Sequence, residues 1–227
     1  MKTIFWDFDG TLGKREGGWT GTLYEVLKAE MPDTSITQDQ FRGRMNSGFP
    51  WHNPEIPHLD LATPEKWWVA ITALIFSVYK EVGIEGELAS RLAGKYRAHY
   101  LARDKWSLFD DSITALQELA GRGWQQAIIS NHVPEFHTIL DFLGISGNFV
   151  AIINSAEIGY EKPHPRVYQI ALERLGNPSP AWMIGDNVEA DYLGAERAGL
   201  SPILVRRPDP RAQRFSEGLM GALSFLP

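Results

Sequence analysis

The N-terminal segment of the chain contains a short apolar run that ends in Asp7-Phe8-Asp9-Gly10. The continuous apolar residues Ile4-Phe5-Trp6 are typical of a strand that is covered on both faces of a sheet. Because Gly10 lets the backbone turn without a Cβ clash, we expect Asp7 and Asp9 at the C-terminal end of this strand. Open parallel sheets bind their ligands at that edge. The segment therefore predicts a buried strand and a candidate site at its end.

The two aspartates are expected to point to the same side of the strand, since side chains alternate with a period of two. Like charges at this distance repel, and the repulsion is relieved either by protonation of one carboxyl or by a hard divalent cation between them. We favour the cation. The alternative is an ordinary Asp9-Gly10 turn with Asp7 bonded to backbone amides.

Composition limits the classes of function. The chain has 227 residues, of which 44% are hydrophobic and 22% charged, as in ordinary globular proteins. The net charge of −6 argues against nucleic acid as a partner, and the lack of cysteine excludes disulfides, zinc thiolate sites and a cysteine nucleophile. No apolar run has the length of a membrane span, and the early aspartates interrupt any signal-peptide core. We therefore expect a cytoplasmic protein without a membrane partner.

The chain divides into a helical part and an alternating part. Residues 14–105 show helical periodicity but no strand alternation, apart from a proline-rich loop at 49–58 and a glycine-rich, flexible exit after Leu12. Thr37 followed by Gln40 resembles a capping box and predicts a second helix there. From Trp106 onward, helices alternate with strands, which gives about five candidate strands with the first one included.

This order predicts an α/β fold with a Rossmann-like parallel sheet and an inserted all-helical domain. Residues 1–13 and 106–227 are expected to form the α/β core, and residues 14–105 a helical cap over the strand ends that carry the aspartates.

Three further strand ends or helix starts carry polar residues. Ser130-Asn131 follows an apolar strand, Lys162 lies between a glutamate and a proline before a helix, and Gly185-Asp186-Asn187 ends another strand, with Asp191 shortly after. Each has an ordinary explanation as a helix cap, a surface charge or a turn. Chance rarely places all of them at the strand ends of one parallel sheet.

In this arrangement the sequence resembles the haloacid dehalogenase-like (HAD) hydrolase superfamily. The four motifs of that family appear as Asp7-Phe8-Asp9-Gly10-Thr11, Ser130-Asn131, Lys162-Pro163 and Gly185-Asp186-Asn187-Val188-Glu189-Ala190-Asp191. The resemblance covers residues 1–13 and about 106–206. The helical insertion between the first two motifs is similar to the type I (C1) cap of the family, and an acid at position 9 is similar to its phosphatase branch.

The resemblance implies a Mg²⁺-dependent phosphomonoester hydrolase that acts on a small phosphorylated metabolite through an aspartyl phosphate. It implies Asp7 as the nucleophile and Asp9 as the general acid and base. The implied Mg²⁺ ligands are Asp7, the Asp9 carbonyl and Asp186, with Asp191 in support.

The remaining motif residues receive binding and supporting roles from the same resemblance. Ser130, the Asn131 backbone N–H and Lys162 are expected to bind the phosphoryl oxygens. Thr11 is expected to help position Asp9 and the turn, and Gly10 to let the backbone turn. The cap is expected to select the substrate through residues in or near the proline-rich loop, with these candidates: Arg42, Arg44, Asn46, Trp51, His52 and His58.

Two alternatives remain at this point. A phosphomutase of the same superfamily shares the four motifs but tends to have a cap histidine soon after the first, whereas the first histidine after it in this chain is His52. A catalytically idle metabolite-binding protein with the same fold is the other alternative.

Overall fold

The centre of the fold is a six-stranded parallel sheet. The computed structural model describes residues 1–227. In chain order the strands of this sheet are β1 (Thr3–Trp6), β4 (Gln125–Ser130), β5 (Ala151–Asn154), β6 (Ala181–Gly185), β7 (Ser201–Val205) and β8 (Phe215–Ser216). Their order across the sheet is β5-β4-β1-β6-β7-β8. The N-terminal strand thus lies between two strands from the far half of the chain, and the predicted α/β fold is confirmed.

Helices cover both faces of this sheet. They are α4 (Ser112–Gly121), α5 (Phe136–Phe142), α6 (Ser155–Ile158), α7 (Pro165–Arg174), α8 (Gly194–Arg197) and α9 (Leu219–Ala222). Successive residues of β1 point to opposite faces, so Ile4 and Trp6 belong to one apolar cluster and Phe5 to the other. All three are fully buried, which explains the uninterrupted apolar run.

The helical segment contains three long helices: α1 (Gly18–Glu30), α2 (Pro64–Glu81) and α3 (Gly86–Tyr100). Thr63 caps α2, because its hydroxyl accepts from the Lys66 amide. The second helix expected from Thr37 was wrong, since only one 3₁₀ turn, Gln38–Phe41, forms there. Gly43 and Gly48 have positive φ angles and Pro50 follows, so the chain cannot continue as a helix. None of the helices is both long and apolar enough to span a bilayer.

The two ends of the helical segment are joined by a two-stranded antiparallel ribbon. It pairs β2 (Gly13–Arg15) with β3 (Trp106–Leu108). The expectations of a flexible exit at this point and of a segment without strands were therefore wrong. The partner strand lies far away in the sequence, which local glycine content does not reveal. The division into a core and a cap domain stays a prediction.

Arg15 links this ribbon to the helices. Its buried guanidinium donates to the carbonyls of Tyr100 and His99 at the end of α3, and it pairs with Glu25 of α1 at 2.8 Å. It also satisfies the carbonyls of Glu16 and Gly18. One side chain therefore connects four backbone carbonyls and a carboxylate from separate segments. Three of these carbonyls, those of Tyr100, His99 and Gly18, also accept from a second donor.

We expect Arg15→Met to lower the free energy of unfolding by about 3 kcal/mol, because it removes the buried partner of the Glu25 carboxylate and the hydrogen bonds to these carbonyls. The matched control is Arg42→Met, which removes a highly exposed arginine paired with Asp39 and is expected to change stability by less than about 0.5 kcal/mol. Urea unfolding followed by circular dichroism measures both. Equal effects of the two substitutions would contradict the linking role of Arg15.

Candidate active site

A buried ion-pair network lies at the C-terminal edge of the sheet. The Lys162 Nζ atom is 2.7 Å from Asp7 Oδ1 and 2.6 Å from Asp191 Oδ1. The exposed fractions of these three side chains are 3%, 8% and 1%. Residues far apart in sequence thus meet after β1, before α7 and after β6. Lys162 was predicted to point into the site, and its side chain is buried there, so it is not a surface charge.

Asn131 holds the backbone of Lys162 in place. The Asn131 side-chain amide donates to the Lys162 carbonyl at 2.9 Å, and its oxygen accepts from the Lys162 amide at 2.7 Å. The Asn131 backbone N–H makes no hydrogen bond within the chain and stays free for a ligand. The side chain of Asn131 therefore positions the lysine, while its backbone supplies a donor.

Three buried carboxylates could hold a metal ion together. Asp7, Asp186 and Asp191 each offer an oxygen, and these oxygens lie within 4.8 Å of one another. Close backbone approach makes this possible: a Cβ at Gly10 would lie 2.4 Å from an Asp186 oxygen, and one at Gly185 would lie 2.2 Å from the Asp191 carboxyl carbon. The Asp9 carbonyl, predicted as a ligand, accepts no hydrogen bond from the chain. These hard oxygen donors suit Mg²⁺.

The charged groups in this network shift one another's pKa values. Burial raises the pKa of Asp186 and of Asp191, and neighbouring carboxylates add to the rise at both. Burial alone would lower the pKa of Lys162, but Asp191 and Asp7 raise it above its usual value. The lysine is therefore firmly charged, while the carboxylates carry more negative charge than it can neutralise. An additional cation would be stabilised here.

Asp9 lies apart from the three clustered carboxylates and faces His132. The Asp9 Oδ2 atom is 3.3 Å from Nε2 of His132. The Asp9 side chain lines the cavity, and 42% of its surface is accessible. Desolvation by the surrounding cavity walls, followed by repulsion from Asp7 and Asp186, raises the pKa of Asp9 to about 8. A carboxyl that keeps its proton near neutral pH can act as a general acid.

His132 is a site residue that the sequence analysis missed. It is buried among aromatic rings, stacked on Phe136 at 4.2 Å between ring centroids and in edge contact with Phe8. Burial lowers its pKa to about 3, so its imidazole is neutral. Neither ring nitrogen makes a hydrogen bond, because the contact of Nε2 with Asp9 Oδ2 at 3.3 Å is not aligned for one. Its position directly after Ser130-Asn131, at a strand end, was the available signal.

Two supporting residues contact Asp7. The Thr11 hydroxyl donates to Asp7 Oδ2 at 3.1 Å, so it positions Asp7 and not Asp9 as expected. The reason is the tight turn at Gly10, whose φ of 82° brings position 11 back towards the strand end. The Ser130 hydroxyl lies 3.5 Å from Asp7 Oδ1, at the limit of a hydrogen bond.

A cavity of about 510 Å³ opens above the carboxylates. Among the side chains expected to select a substrate, Trp51 lines it, whereas Arg42 pairs with Asp39 and Arg44 with Glu81. Its walls include aromatic residues that the sequence analysis had not singled out as site residues, namely Trp19, Phe49, Tyr100 and Phe109.

Comparison with known families agrees with this arrangement. The sequence profile described as haloacid dehalogenase-like hydrolase matches residues 1–199. The chain belongs to the haloacid dehalogenase-like hydrolase family. The HAD resemblance of the four motifs is thereby confirmed, and the protein is a hydrolase by family.

This HAD hydrolase is similar to two relatives that are named as phosphatases and to one that is named for its HAD-like domain. Haloacid dehalogenase-like hydrolase domain-containing protein 3 of Danio rerio is 27% identical over all of this chain and 95% of that protein. Phosphoserine phosphatase of Thermus thermophilus is 33% identical over 59% of this chain and 55% of that protein. Glyceraldehyde 3-phosphate phosphatase of Methanothermobacter thermautotrophicus is 34% identical over 47% and 48% of the two chains.

Solved structures share the HAD fold along the whole chain. The HAD-hydrolase YfnB from Bacillus subtilis, bound to magnesium, superposes with a TM-score of 0.75 at 21% identity over 99% of this chain and 98% of that one. L-2-haloacid dehalogenase from Xanthobacter autotrophicus gives a TM-score of 0.69 at 17% identity over 100% and 99%. A protein named as a dehalogenase therefore shares the fold, which does not itself select a reaction.

Glu161, next to Lys162, generates a prediction about stability and pH. Its side chain is buried, Oε2 has no hydrogen-bond partner, and burial raises its pKa from 4.5 to about 7. As the pH rises between these values, the unfolded state loses this proton while the folded state keeps it, so the folded protein is destabilised. We expect Glu161→Gln to remove this cost. Its gain in unfolding free energy over wild type should grow from near zero below about pH 4.5 to about 3 kcal/mol above about pH 7.

Urea unfolding at a series of pH values measures this difference. The matched control is Glu217→Gln at an exposed position, which should show no such trend. A stability difference between Glu161→Gln and wild type that stays constant with pH would contradict the raised pKa.

Proposed function

We propose that this protein is a Mg²⁺-dependent phosphomonoester hydrolase that acts on a small phosphorylated metabolite, with Asp7 as the nucleophile. The observation that carries the proposal is the buried Asp7 carboxylate, held by Lys162 on one oxygen and by Thr11 on the other, beside two further acids. A nucleophile fixed in this way is oriented before the substrate arrives. Relatives named as phosphatases support the same reaction class.

The residues that would hold Mg²⁺ are Asp7, the Asp9 carbonyl and Asp186, with Asp191 in support. The cluster of buried oxygens and its excess negative charge favour this assignment. When bound, Mg²⁺ supplies positive charge that offsets the repulsion between the Asp7 carboxylate and an anionic phosphate.

In the first half of the reaction, an Asp7 carboxylate oxygen forms a bond to phosphorus. The bond between phosphorus and the oxygen of the leaving alcohol breaks, and that oxygen takes the proton of the Asp9 carboxyl group. The raised pKa of Asp9 means that this proton is present near neutral pH. The products are the free alcohol and an Asp7 aspartyl phosphate.

In the second half, the Asp9 carboxylate accepts a proton from water as the water oxygen attacks phosphorus. The bond between phosphorus and the Asp7 oxygen breaks, which releases inorganic phosphate and restores the Asp7 carboxylate. The Asp9 proton is restored in the same step, so the cycle is balanced.

Three donors would bind the phosphoryl oxygens during both halves. The Lys162 ammonium is already aimed at Asp7, the Ser130 hydroxyl lies on the same side, and the Asn131 backbone N–H is free. Donors fixed in advance stabilise the charge that develops on these oxygens without a reorganisation cost.

We expect Asp7→Asn to lower phosphate release from a phosphomonoester by at least about a thousandfold, because the nucleophilic carboxylate is lost. With an aryl phosphate, whose phenolate leaves without taking a proton, Asp9→Asn should slow mainly the second half. Intact mass spectrometry of this quenched reaction should then show the added mass of one phosphoryl group. Asp60→Asn changes an exposed acid outside the site and serves as the control. Full activity of Asp7→Asn would refute the proposed nucleophile.

Mg²⁺ binding is tested separately by thermal unfolding. We expect Mg²⁺ to raise the melting temperature of the wild-type protein, because binding to the folded state alone stabilises it. Asp186→Asn should lose most of this rise, whereas Asp60→Asn should keep it. An identical rise in both variants would place the ion elsewhere.

A further inference from the structure

The cavity has two chemically different sides. The side at the sheet edge carries the carboxylates and Lys162, as described above. Every side chain that residues 18–100 contribute to the cavity is apolar or aromatic, and these side chains are Trp19, Met45, Phe49, Trp51 and Tyr100. We refer to Trp19, Phe49, Trp51 and Tyr100 as the aromatic wall. The phosphoryl group therefore meets charges, while the rest of the substrate meets this wall.

The aromatic wall is built from two stacked pairs. Trp19 stacks on Tyr100 with 4.1 Å between ring centroids, and Phe49 stacks on Trp51 with 4.4 Å and an interplanar angle of 10°. Trp19 and Phe49 join the pairs at 4.5 Å. Phe49 and Tyr100 are buried, whereas Trp19 and Trp51 keep accessible surface. The buried rings thus support two indoles that a ligand can contact.

Three of the four Lys and Arg side chains around the cavity are paired with carboxylates, and the fourth, Lys14, is exposed. Lys162 is committed to Asp7 and Asp191, and the Arg15 guanidinium is saturated by Glu25 and four carbonyls. Arg207 is 74% exposed and pairs with Asp186 at 3.1 Å. Lys14 is exposed and lies over the Phe109 ring. No buried cation is left to receive a second anionic group on the substrate.

From these observations we infer that the alcohol part of the substrate is an uncharged aromatic group, so that the substrate is an arylalkyl phosphate monoester whose ring stacks on the aromatic wall. This inference rests on the proposed phosphomonoester hydrolysis and specifies its substrate class. Ring stacking on Trp and Phe supplies directional contact beyond the burial of apolar area.

Other leaving groups match the wall less well. A sugar or polyol brings several hydroxyls that need partners. The side chains that residues 18–100 bring to the cavity offer only the Tyr100 hydroxyl and the indole N–H groups of Trp19 and Trp51. A carboxylate or a second phosphate would be desolvated without a free buried cation. An aromatic ring has neither requirement.

The test compares kcat/KM of the full chain with Mg²⁺ for four esters of unactivated alcohols: benzyl phosphate, cyclohexylmethyl phosphate, glycerol 1-phosphate and phosphoserine. We expect kcat/KM for benzyl phosphate to be at least about tenfold higher than for glycerol 1-phosphate and phosphoserine. It should be about threefold higher than for cyclohexylmethyl phosphate. Aryl phosphates with a phenol leaving group are left out, since their chemical reactivity would obscure binding preference.

Substitutions then test whether the aromatic wall causes the preference for benzyl phosphate. Trp51→Leu should lower the ratio of the kcat/KM values for benzyl phosphate and glycerol 1-phosphate by about fivefold or more. Trp51→Phe should keep most of the wild-type ratio. Trp124→Leu removes a buried indole outside the cavity and should leave the ratio as in wild type. The binding of benzyl phosphate and glycerol 1-phosphate to Asp7→Asn, measured by calorimetry, gives the same ratio independently of turnover.

The outcomes distinguish a failure of the inferred substrate class from a failure of the proposed phosphatase activity. Hydrolysis of all four esters without a benzyl preference, equal rates for the cyclohexyl analogue, or an unchanged ratio in Trp51→Leu would overturn the aromatic substrate class and leave the phosphatase intact. No hydrolysis of any ester would overturn the proposed function and this inference with it. The wild-type comparison decides the question even if a variant does not fold.

Discussion

The ammonium group of Lys162, held between Asp7 and Asp191, is the interaction on which the site depends. Three buried carboxylates are paired with one buried cation, Lys162, and one exposed cation, Arg207, so the network keeps an excess of negative charge. The excess favours a bound divalent ion, and the lysine holds the Asp7 carboxylate in place. An anionic phosphate can approach Asp7 only where such charges are offset. The same electrostatics thus explain the burial of the lysine, the affinity expected for a metal and the proposed chemistry.

The fold brings these groups together by placing strand ends side by side. β1 lies between β4 and β6, so the residues that follow these strands meet at one edge although they are distant in sequence. Glycine is required where the backbones come closest, because a Cβ at Gly10 or Gly185 would collide with the carboxyl group of Asp186 or Asp191. The Asn131 side chain then fixes the segment that carries Lys162. The helical segment adds the aromatic wall, which gives the cavity its second chemical character.

Most of the sheet and most of the charged site were predictable, because both depend on local patterns: apolar runs, capping residues and polar residues at strand ends. What was missed depends on contacts between distant segments. The ribbon strand Gly13–Arg15 is stabilised by a partner more than ninety residues away, whereas the glycine-rich sequence from Gly13 to Gly18 alone indicates flexibility. His132 is a site residue only because rings from separate elements bury it beside Asp9. Thr37 has a helix-start pattern, but the glycines that follow end the helix after one turn.

The most direct measurement is a crystal structure of the wild-type protein with magnesium and beryllium trifluoride, which mimics a phosphoryl group on a carboxylate. The account predicts beryllium bonded to an Asp7 oxygen, the ion between Asp7 and Asp186, and the Lys162 ammonium in contact with a fluoride. A mimic bound away from Asp7, with Lys162 turned towards solvent, would contradict it.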